Sequence, residues 1–368
     1  MQVTVFFPGL GIHFDINRVA FTLFGMPVYW YGVLIGLGVF LAIAFALNQA
    51  RSFGIDPDRM IDVIVIGLIL GVIGARLYYV LFVSVIEYTS FWQLINLRDG
   101  GLAIYGGIIF GFLGALLGCK LRKVPLLPMF DVTAMGFLIG QCIGRWGNFF
   151  NQEAFGTNTI LPWGMLSSST TAYLGAQQEA LALEGVFVDP NLPVHPTFLY
   201  ESLWCALGFF LLLAWKKRRH FNGELFLFYV IWYGVGRFFI EGLRTDSLMV
   251  FGLRVSQVVA AVSVLAAVAV WVAVRMRTAG KPLQVPALPP RSEKIKLQTE
   301  EGMVTVEVTW SGDEKRPSKE RLQEMAREKW EGENPPKEET ASDEKTGEDP
   351  LEAEEGESEI KGEGNPAP

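Results

Sequence analysis

The sequence predicts an all-α polytopic membrane protein of about seven transmembrane helices. Of its 368 residues, 51% are hydrophobic, and these are concentrated in runs of the length that a bilayer core requires. Residues 1–280 carry 18 Lys and Arg against 15 Asp and Glu, whereas residues 281–368 carry 13 against 23. We therefore expect a helical membrane domain over residues 1–280 and an acidic, largely disordered tail over residues 281–368.

Seven apolar stretches are long enough to cross a bilayer as helices. They cover residues 27–49, 60–83, 101–119, 129–149, 198–215, 224–243 and 252–274. A long connection, residues 151–197, separates the fourth stretch from the fifth. Glycines spaced four residues apart favour close packing of helices in lipid. The pairs with this spacing are Gly32 and Gly36, Gly67 and Gly71, Gly107 and Gly111, and Gly114 and Gly118.

The cations between the predicted helices indicate an orientation. One set of connections contains 11 Lys and Arg residues, whereas the opposite set contains Arg18, Arg98, Arg244 and Arg254. The connection 151–197 contains neither Lys nor Arg. Because cytoplasmic connections are enriched in these residues, we expect the N-terminus and this connection to lie outside and the C-terminus to lie in the cytoplasm.

The cysteines and the acidic tail are not expected to carry chemistry. All three cysteines lie inside apolar stretches without the spacing of a disulfide framework or a zinc site. They are Cys119, Cys142 and Cys205. In the tail, residues 294–310 alternate apolar and polar side chains and predict a hairpin that turns at Glu301-Gly302. Residues 317–330 predict a charged helix.

Ionisable residues inside membrane helices mark candidate sites, because they are costly unless they are paired or face water. The fourth stretch carries Arg145, followed by Asn148 and Asn151 at spacings that place them near one helix face. The sixth stretch carries Tyr233, Arg237 and Glu241 at four-residue intervals. The predicted topology favours one polar cavity near the outer leaflet. The ionisable side chains expected there are Arg145, Glu153, Glu201, Arg237 and Glu241.

Two hypotheses explain these arginines. Arg237 and Glu241 suit an internal ion pair that holds the helices together, although a buried pair is weak evidence of net stability. Alternatively, guanidinium groups at this depth bind the phosphate of a phospholipid, whose oxygens match their planar geometry. The number of ionisable groups near one depth favours the second hypothesis, but a transporter of anions would carry similar arginines.

Residues 144–156, GRWGNFFNQEAFG, resemble the signature of bacterial prolipoprotein diacylglyceryl transferases, G-R-x-G-N-F-x-N-x-E-x-x-G. Every fixed position of the signature is present, namely Gly144, Arg145, Gly147, Asn148, Phe149, Asn151, Glu153 and Gly156. Further segments are similar to family motifs in the same order, so the resemblance extends from about residue 25 to about residue 270. They are YWYGVL (29–34), GARLYYVLF (74–82), RDGGLAIYGG (98–107), HPTFLYE (195–201) and YGVGRFFIE (233–241).

The resemblance implies a defined reaction. Members of this family move the diacylglyceryl group of phosphatidylglycerol onto the lipobox cysteine of a prolipoprotein signal peptide, which yields a thioether and glycerol phosphate. The reaction takes place at the outer face of the bacterial inner membrane, without a metal or an organic cofactor. It therefore implies membrane lipid and prolipoprotein as partners and no nucleic acid.

The resemblance also implies roles for individual residues. Arg145 would contact the headgroup, and Arg145, Arg237 and Tyr105 are the predicted catalytic residues. The other residues predicted to bind substrate are Tyr31, Asn148, Asn151, Glu153, Gly156, Tyr233, Glu241 and His195. Arg145 and Arg237 would hold the charge that develops on the leaving phosphate, and the attacking thiol, with a reference pKa of about 8.5, must become a thiolate.

Tyr105 is a departure from the family pattern. Many members have a histidine, often proposed as the base, in an H-G-G motif where this chain has Tyr105-Gly106-Gly107. A phenol titrates at about 10 and is a poor base at neutral pH. Either a neighbouring arginine makes Tyr105 more acidic, or Tyr105 donates a hydrogen bond, or the base lies elsewhere. His195 is the one histidine expected near the site, and its position favours capping of the fifth helix over a role as the base.

Two alternative classes of protein are disfavoured. A transporter or flippase would explain the arginines but not the signature, and no inverted internal repeat is apparent. Other lipid-modifying enzymes require an aspartate run in one helix region, a Ser-Gly-His element, or a protein nucleophile beside a histidine. The sequence contains none of these in a suitable position.

Overall fold

A computed structural model describes residues 2–83, 90–96, 100–246, 249–250, 252–288, 290–299, 302–310 and 317–333. Its long helices follow the seven predicted stretches, which confirms the helical fold class. They are α1 (Trp30–Ala50), α2 (Pro57–Tyr78), α4 (Ile104–Arg122), α5 (Leu126–Asn151), α7 (Thr197–Trp215), α8 (Glu224–Glu241) and α9 (Val255–Thr278). The shorter helices are α3 (Phe91–Ile95), α6 (Ser168–Leu183) and α10 (Lys319–Glu333).

Six of these helices, in the described part of the chain, are long and apolar enough to cross a membrane. They are α1, α2, α4, α5, α7 and α9. The protein is therefore a multi-pass membrane protein. The remaining long helix, α8, has 18 residues and carries Glu224, Arg237 and Glu241. The number of seven spans and the orientation of the termini stay predictions.

Short strands accompany the helices, and most of them were not predicted. They are β1 (Gln2–Phe7), β2 (Ile12–Asn17), β3 (Val19–Leu23), β4 (Met26–Tyr29), β5 (Leu166–Ser167), β6 (Met249–Val250), β7 (Leu253–Arg254), β8 (Arg291–Thr299) and β9 (Gly302–Trp310). β1 lies between β2 and β5 in an antiparallel sheet that pairs Gln2 with Asn17 and Val5 with Ser167. Strand pairing therefore ties the connection 151–197 to the N-terminal segment.

A small apolar core lies between this sheet, α6 and the end of α5. Its buried side chains include Val5, Ile16, Phe149, Met165 and Leu174. Apolar burial of this kind stabilises a folded layer at the end of the helical bundle. We call this end, where α5 and α8 end and α7 begins, the signature end.

The predicted close packing of glycines is confirmed for α2 against α4 and is wrong for α1. A Cβ atom on Gly114 would lie 3.1 Å from the Cα of Gly67, and one on Gly118 would lie 3.0 Å from the Cα of Val63. By contrast, a Cβ atom on Gly32 or Gly36 would have no described atom within 4 Å. α2 and α4 thus form a pair with close backbones, as small residues allow in lipid.

α5 is the central helix, because it packs against α1, α7 and α8. It approaches α1 closely where a Cβ atom on Gly38 would lie 3.2 Å from the carbonyl oxygen of Gly140. Its side chains Val132, Met135 and Leu138 are fully buried. The signature therefore continues from the best-packed helix of the membrane domain.

Two buried carboxylates lie at the opposite end of the bundle. Asp131 of α5 accepts hydrogen bonds from the backbone N–H groups of Gly223 at 2.7 Å and Phe226 at 3.0 Å, at the start of α8. Glu224 accepts a hydrogen bond from the indole N–H of Trp271 at 3.1 Å. Both carboxylates are 0% exposed. We call Asp131 and Glu224 the opposite-end acidic pair.

The chain after α9 also packs against the opposite end of the bundle. The side-chain amide of Asn222 donates to the carbonyl oxygen of Gln284 at 2.8 Å. A Cβ atom on Gly54 would lie 2.9 Å from the carbonyl carbon of Pro286, and Leu288 is buried. Residues 281–288 are therefore part of the packed domain.

A second compact unit follows and contains β8, β9 and α10. The predicted hairpin is confirmed by the pairing of β8 with β9, and the predicted helix is confirmed as α10. Of the predicted turn, Gly302 begins β9, whereas Glu301 lies outside the described residues. The disorder predicted for the rest of the tail falls on residues 334–368, which also lie outside the described residues.

Candidate active site

The signature forms the end of α5 and a sharp turn. Gln152 and Ala154 both have positive φ angles, 53° and 57°, a conformation that is uncommon for residues other than glycine and clusters at functional sites. The N–H of Glu153 donates to the carbonyl of Asn148 at 3.1 Å. The amide of Asn151 donates to the carboxylate of Glu153 at 3.2 Å. The turn thus directs the two polar side chains toward each other.

Glu201, at the start of α7, joins three arginines from separate positions in the chain. Its Oε2 lies 2.5 Å from Nη2 of Arg145, and its Oε1 lies 3.2 Å from Nη1 of Arg237. Nη1 of Arg244 lies 3.7 Å from the same Oε1. Glu201 is only 5% exposed, so charge pairing offsets the cost of its burial. We call Glu201, Arg145, Arg237 and Arg244 the arginine cluster.

Two further carboxylates hold the cluster from α8 and the residues after it. Nη2 of Arg237 lies 2.5 Å from Oε2 of Glu241, one helical turn away. Arg244 forms a bidentate ion pair with Asp246, in which Nε donates to Oδ1 at 2.8 Å and Nη2 donates to Oδ2 at 2.7 Å. The ion pair of Arg237 with Glu241, which the sequence left open as one of two hypotheses, is therefore present, and Arg237 also pairs with Glu201.

Arg145 is held less completely than Arg237 and Arg244. In the described part of the chain its ion pair is to Glu201 alone, through one terminal nitrogen. A guanidinium group has five N–H donors in a fixed plane. Arg145 therefore retains donors that a second anion, such as a phosphate, is able to engage.

Gly156 is the point where three segments meet. Its N–H donates to the carbonyl of His195 at 2.9 Å, and it forms a β-bridge with Arg244. A Cβ atom here would lie 2.7 Å from the Cβ of His195 and 2.9 Å from the carbonyl oxygen of Leu243. The structure thus places Gly156 where a side chain would separate the signature turn from α7 and from the end of α8.

A cavity of about 610 Å³ lies beside the signature turn, and of the ionisable side chains expected in one polar cavity it is lined by Glu153 but not by the arginine cluster. Three of the predicted substrate-binding residues line it, namely Tyr31, Asn151 and Glu153. Arg18 also lines it and donates from Nη2 to the carbonyl of Asn151 at 2.8 Å. The cavity therefore combines a cation, a carboxylate, an amide and a phenol.

Asn148 and Tyr233 lie close to the cluster without pairing with its carboxylates. Asn148 is half-buried on α5, three residues after Arg145. Tyr233 lies on α8 four residues before Arg237, and its ring stacks on that of Tyr229 with centroids 5.8 Å apart. The roles of Asn148 and Tyr233 in substrate binding therefore stay predictions.

His195 does not cap α7, so that alternative is wrong. The N-cap residue of α7 is Pro196, and no side chain caps the helix. Nδ1 of His195 lies 3.1 Å from the hydroxyl of Tyr200, which also accepts a hydrogen bond from the indole N–H of Trp163 at 2.8 Å. Burial lowers the pKa of His195 below its usual value. The imidazole is therefore neutral at neutral pH.

Comparison with known proteins agrees with this geometry. A profile of the family described as prolipoprotein diacylglyceryl transferase matches residues 18–273. The chain belongs to this family. Curated proteins named phosphatidylglycerol–prolipoprotein diacylglyceryl transferase are similar to it. The protein of Finegoldia magna is 43% identical over 254 residues, 69% of this chain and 94% of the relative.

Two further diacylglyceryl transferases match over nearly the same region. The protein of Clostridioides difficile strain 630 is 40% identical over 250 residues, 68% of this chain and 92% of the relative. The protein of Bacillus cereus strain Q1 is 43% identical over 245 residues, 66% of this chain and 87% of the relative. The arginine cluster lies wholly inside the region that matches the transferase family, and the tail unit lies outside it.

The structure does not bring Tyr105 to the arginine cluster. Tyr105 lies in the first turn of α4, which packs against α2 rather than against α7 or α8. Its side chain is 60% exposed, and its ring lies 6.3 Å from that of Tyr78. Its catalytic role therefore stays a prediction.

The central position of Glu201 among the arginines was not predicted from the sequence. The sequence also did not predict that Arg18 lines the cavity or that Asp246 holds Arg244. These contacts join residues that are far apart in the sequence, for which helical spacing gives no signal. The sequence feature that pointed to Glu201 was the similarity of the segment HPTFLYE (195–201) to a family motif.

Proposed function

We propose that the chain transfers the diacylglyceryl group of phosphatidylglycerol to the lipobox cysteine of prolipoproteins, at the outer face of the bacterial inner membrane. The observation that carries this proposal is the convergence of Arg145 and Arg237 on Glu201. It places two guanidinium groups side by side at one end of a membrane bundle. Membership in the diacylglyceryl transferase family supports the choice of substrates.

The reaction requires a site that stabilises a departing phosphate. The cysteine sulfur attacks the glyceryl carbon that carries the phosphate, and a C–S bond forms as the C–O bond breaks. The electron pair of the C–O bond stays on the phosphate oxygen, and the thiol proton passes to a base. Donors aimed at such developing charge are usually the largest catalytic contribution, and we assign this role to Arg145 and Arg237.

The remaining predicted residues fit a binding surface around these arginines. Asn148 and Tyr233 supply neutral donors beside Arg145, while Tyr31, Asn151 and Glu153 line the cavity beside the signature turn. Glu241 and Gly156 hold Arg237 and the signature turn in place, and His195 lies behind the turn. Tyr105 acts on the thiol as a base or as a hydrogen-bond donor from α4. The catalytic region is residues 1–280, and the acidic tail carries no chemistry.

The test is mass spectrometry of a lipobox-cysteine peptide after incubation with the purified protein and phosphatidylglycerol. We expect a mass gain of one diacylglyceryl group and release of glycerol phosphate. Movement of labelled lipid between leaflets without a change in peptide mass would instead support a transporter.

Arg145→Ala is expected to lower kcat/KM by about 10²-fold or more, because it removes a donor to the leaving phosphate. Arg122→Ala is the matched control, since Arg122 pairs with the exposed Asp62 at 2.7 Å at the opposite end of the bundle. Turnover at the wild-type rate in Arg145→Ala would refute the headgroup role of this residue.

A further inference from the structure

Arg76, near the end of α2, donates four hydrogen bonds to backbone carbonyl groups. Its Nε donates to Leu94 at 2.7 Å, and its Nη2 donates to Gln93 at 2.8 Å. Its Nη1 donates to both Gly100 and Gly101 at 3.0 Å. A guanidinium engaged in this way does not bind a phosphate. Arg76 instead joins α3 and the residues that precede α4 to the end of α2.

The sequence of the segment before α4 is adapted to this contact. Gly100 and Gly101 have φ angles of 79° and 80°, which side chains disfavour. A Cβ atom on Gly101 would lie 2.6 Å from the ring of Tyr79. The N–H of Ala103 also donates to the carbonyl of Ala75 at 3.0 Å. The path of the backbone into α4 is therefore set by one turn of α2.

Tyr105 lies two residues after Ala103, and the same turn of α2 reaches its ring through Tyr78 at 6.3 Å. We propose that Arg76 is a positioning residue for the transfer reaction, which fixes the location of Tyr105 through the backbone of residues 100–103. The inference rests on the proposed function. The role of Arg76 differs from that of Arg145 and Arg237. Arg76 donates to backbone carbonyl groups, whereas Arg145 and Arg237 pair with carboxylate side chains.

The first test compares Arg76→Lys with Arg59→Lys. A lysine keeps the charge but loses the planar fork that spans four carbonyls. We expect Arg76→Lys to lower kcat about 10-fold or more while the KM for phosphatidylglycerol stays within about twofold, because misplaced groups affect the chemical step. Arg59 is the matched control, since it lies on the same helix and donates to a carbonyl of the α4 end, that of Arg122, at 3.5 Å. Arg59→Lys should retain the wild-type kcat.

The second test is a double-variant cycle with Tyr105→Phe. If Arg76 acts through Tyr105, the double variant Arg76→Lys/Tyr105→Phe should be no slower than the slower single variant. Gly101→Ala disturbs the same contact at the residue whose carbonyl accepts from Arg76, and it should reproduce the loss of kcat. Size-exclusion profiles and Tm values in detergent identify variants that fail to fold.

Three results would overturn the inference. The first is additive losses of kcat for Arg76→Lys and Tyr105→Phe in the double variant. The others are a wild-type kcat in Tyr105→Phe and equal losses of kcat in Arg76→Lys and Arg59→Lys. If the wild-type protein itself does not lipidate the peptide, the proposed function fails and this inference fails with it. Lipidation by the wild type together with an additive cycle would refute the role of Arg76 alone.

Discussion

The two ends of the bundle bury carboxylates in opposite ways. At the signature end, both oxygens of Glu201 face guanidinium groups, at 2.5 Å and 3.2 Å. At the other end, both oxygens of Asp131 accept backbone N–H groups from the start of α8, at 2.7 Å and 3.0 Å. The first four N–H groups of a helix have no partner within the helix. Asp131 supplies acceptors for such groups at the start of α8. Glu201 instead organises charged side chains.

This difference distinguishes Asp131, which stabilises the fold, from Glu201, which orients the side chains of the candidate site. The backbone partners of Asp131 belong to the fold itself, so their number is fixed by the helix. The arginines around Glu201 keep donors beyond those that the described residues engage, and we expect such donors to bind a ligand. The comparison predicts that changes at the signature end affect turnover, whereas changes at the opposite-end acidic pair affect stability.

Glu201→Gln should have the largest effect on activity among these carboxylates. The substitution keeps the size of the side chain but removes the charge that holds Arg145 and Arg237 together. We expect kcat to fall by about 10²-fold, as displaced catalytic groups commonly cause. Peptide lipidation measures this loss, and a variant with wild-type kcat would contradict the central position of Glu201.

Asp131→Ala should instead reduce stability. Loss of the buried acceptor leaves N–H groups of α8 unpaired, at a cost of about 1–2 kcal/mol. Thermal unfolding in detergent should show a lower Tm, while kcat measured well below that temperature stays unchanged. A selective loss of kcat with an unaltered Tm would remove the distinction between the two ends.

Two truncations sharpen the comparison at the opposite end. A chain that ends at Pro290 keeps the contacts of residues 281–288, whereas one that ends at Gly280 loses the Asn222–Gln284 hydrogen bond and the burial of Leu288. The second truncation should be less stable by roughly 2 kcal/mol. Both should lipidate the peptide at permissive temperature. Equal Tm values would show that residues 281–288 add nothing to the fold.

His195→Gln should give the smallest effect, which is a change in how the Tm depends on pH. Burial lowers the pKa of His195 in the folded protein, so below about pH 6.5 the unfolded chain binds the proton first. Acidification therefore destabilises the wild type through this residue. The Tm difference between wild type and His195→Gln should narrow from about pH 7.5 to pH 5.5. A constant difference would show that the imidazole titrates normally.

Sequence reasoning predicted the features that depend on local periodicity. Apolar length predicted the long helices, and four-residue spacing predicted that Arg237 and Glu241 share one helix face. The signature gave the family, which the profile match confirmed. These features require only neighbours in the sequence or a shared motif.

Tertiary contacts account for what the sequence did not predict. Glu201 meets Arg145 and Arg237 through the packing of α7 against α5 and α8, which no single helix encodes. The strand pairing of Val5 with Ser167 joins segments separated by five helices. The same reason explains the failure at Gly32 and Gly36, whose spacing suited packing although a Cβ atom on either residue would have no atom of another described helix within 4 Å.

The position of β1 between β2 and β5 has a consequence for biogenesis. Because synthesis proceeds from the N-terminus, β1 and β2 emerge long before β5, and α1, α2, α4 and α5 must enter the membrane in the interval. One edge of β1 stays unpaired throughout that time, and open strand edges promote association between chains. Slow insertion of α5 would therefore expose the newly made chain to aggregation before any substrate site exists.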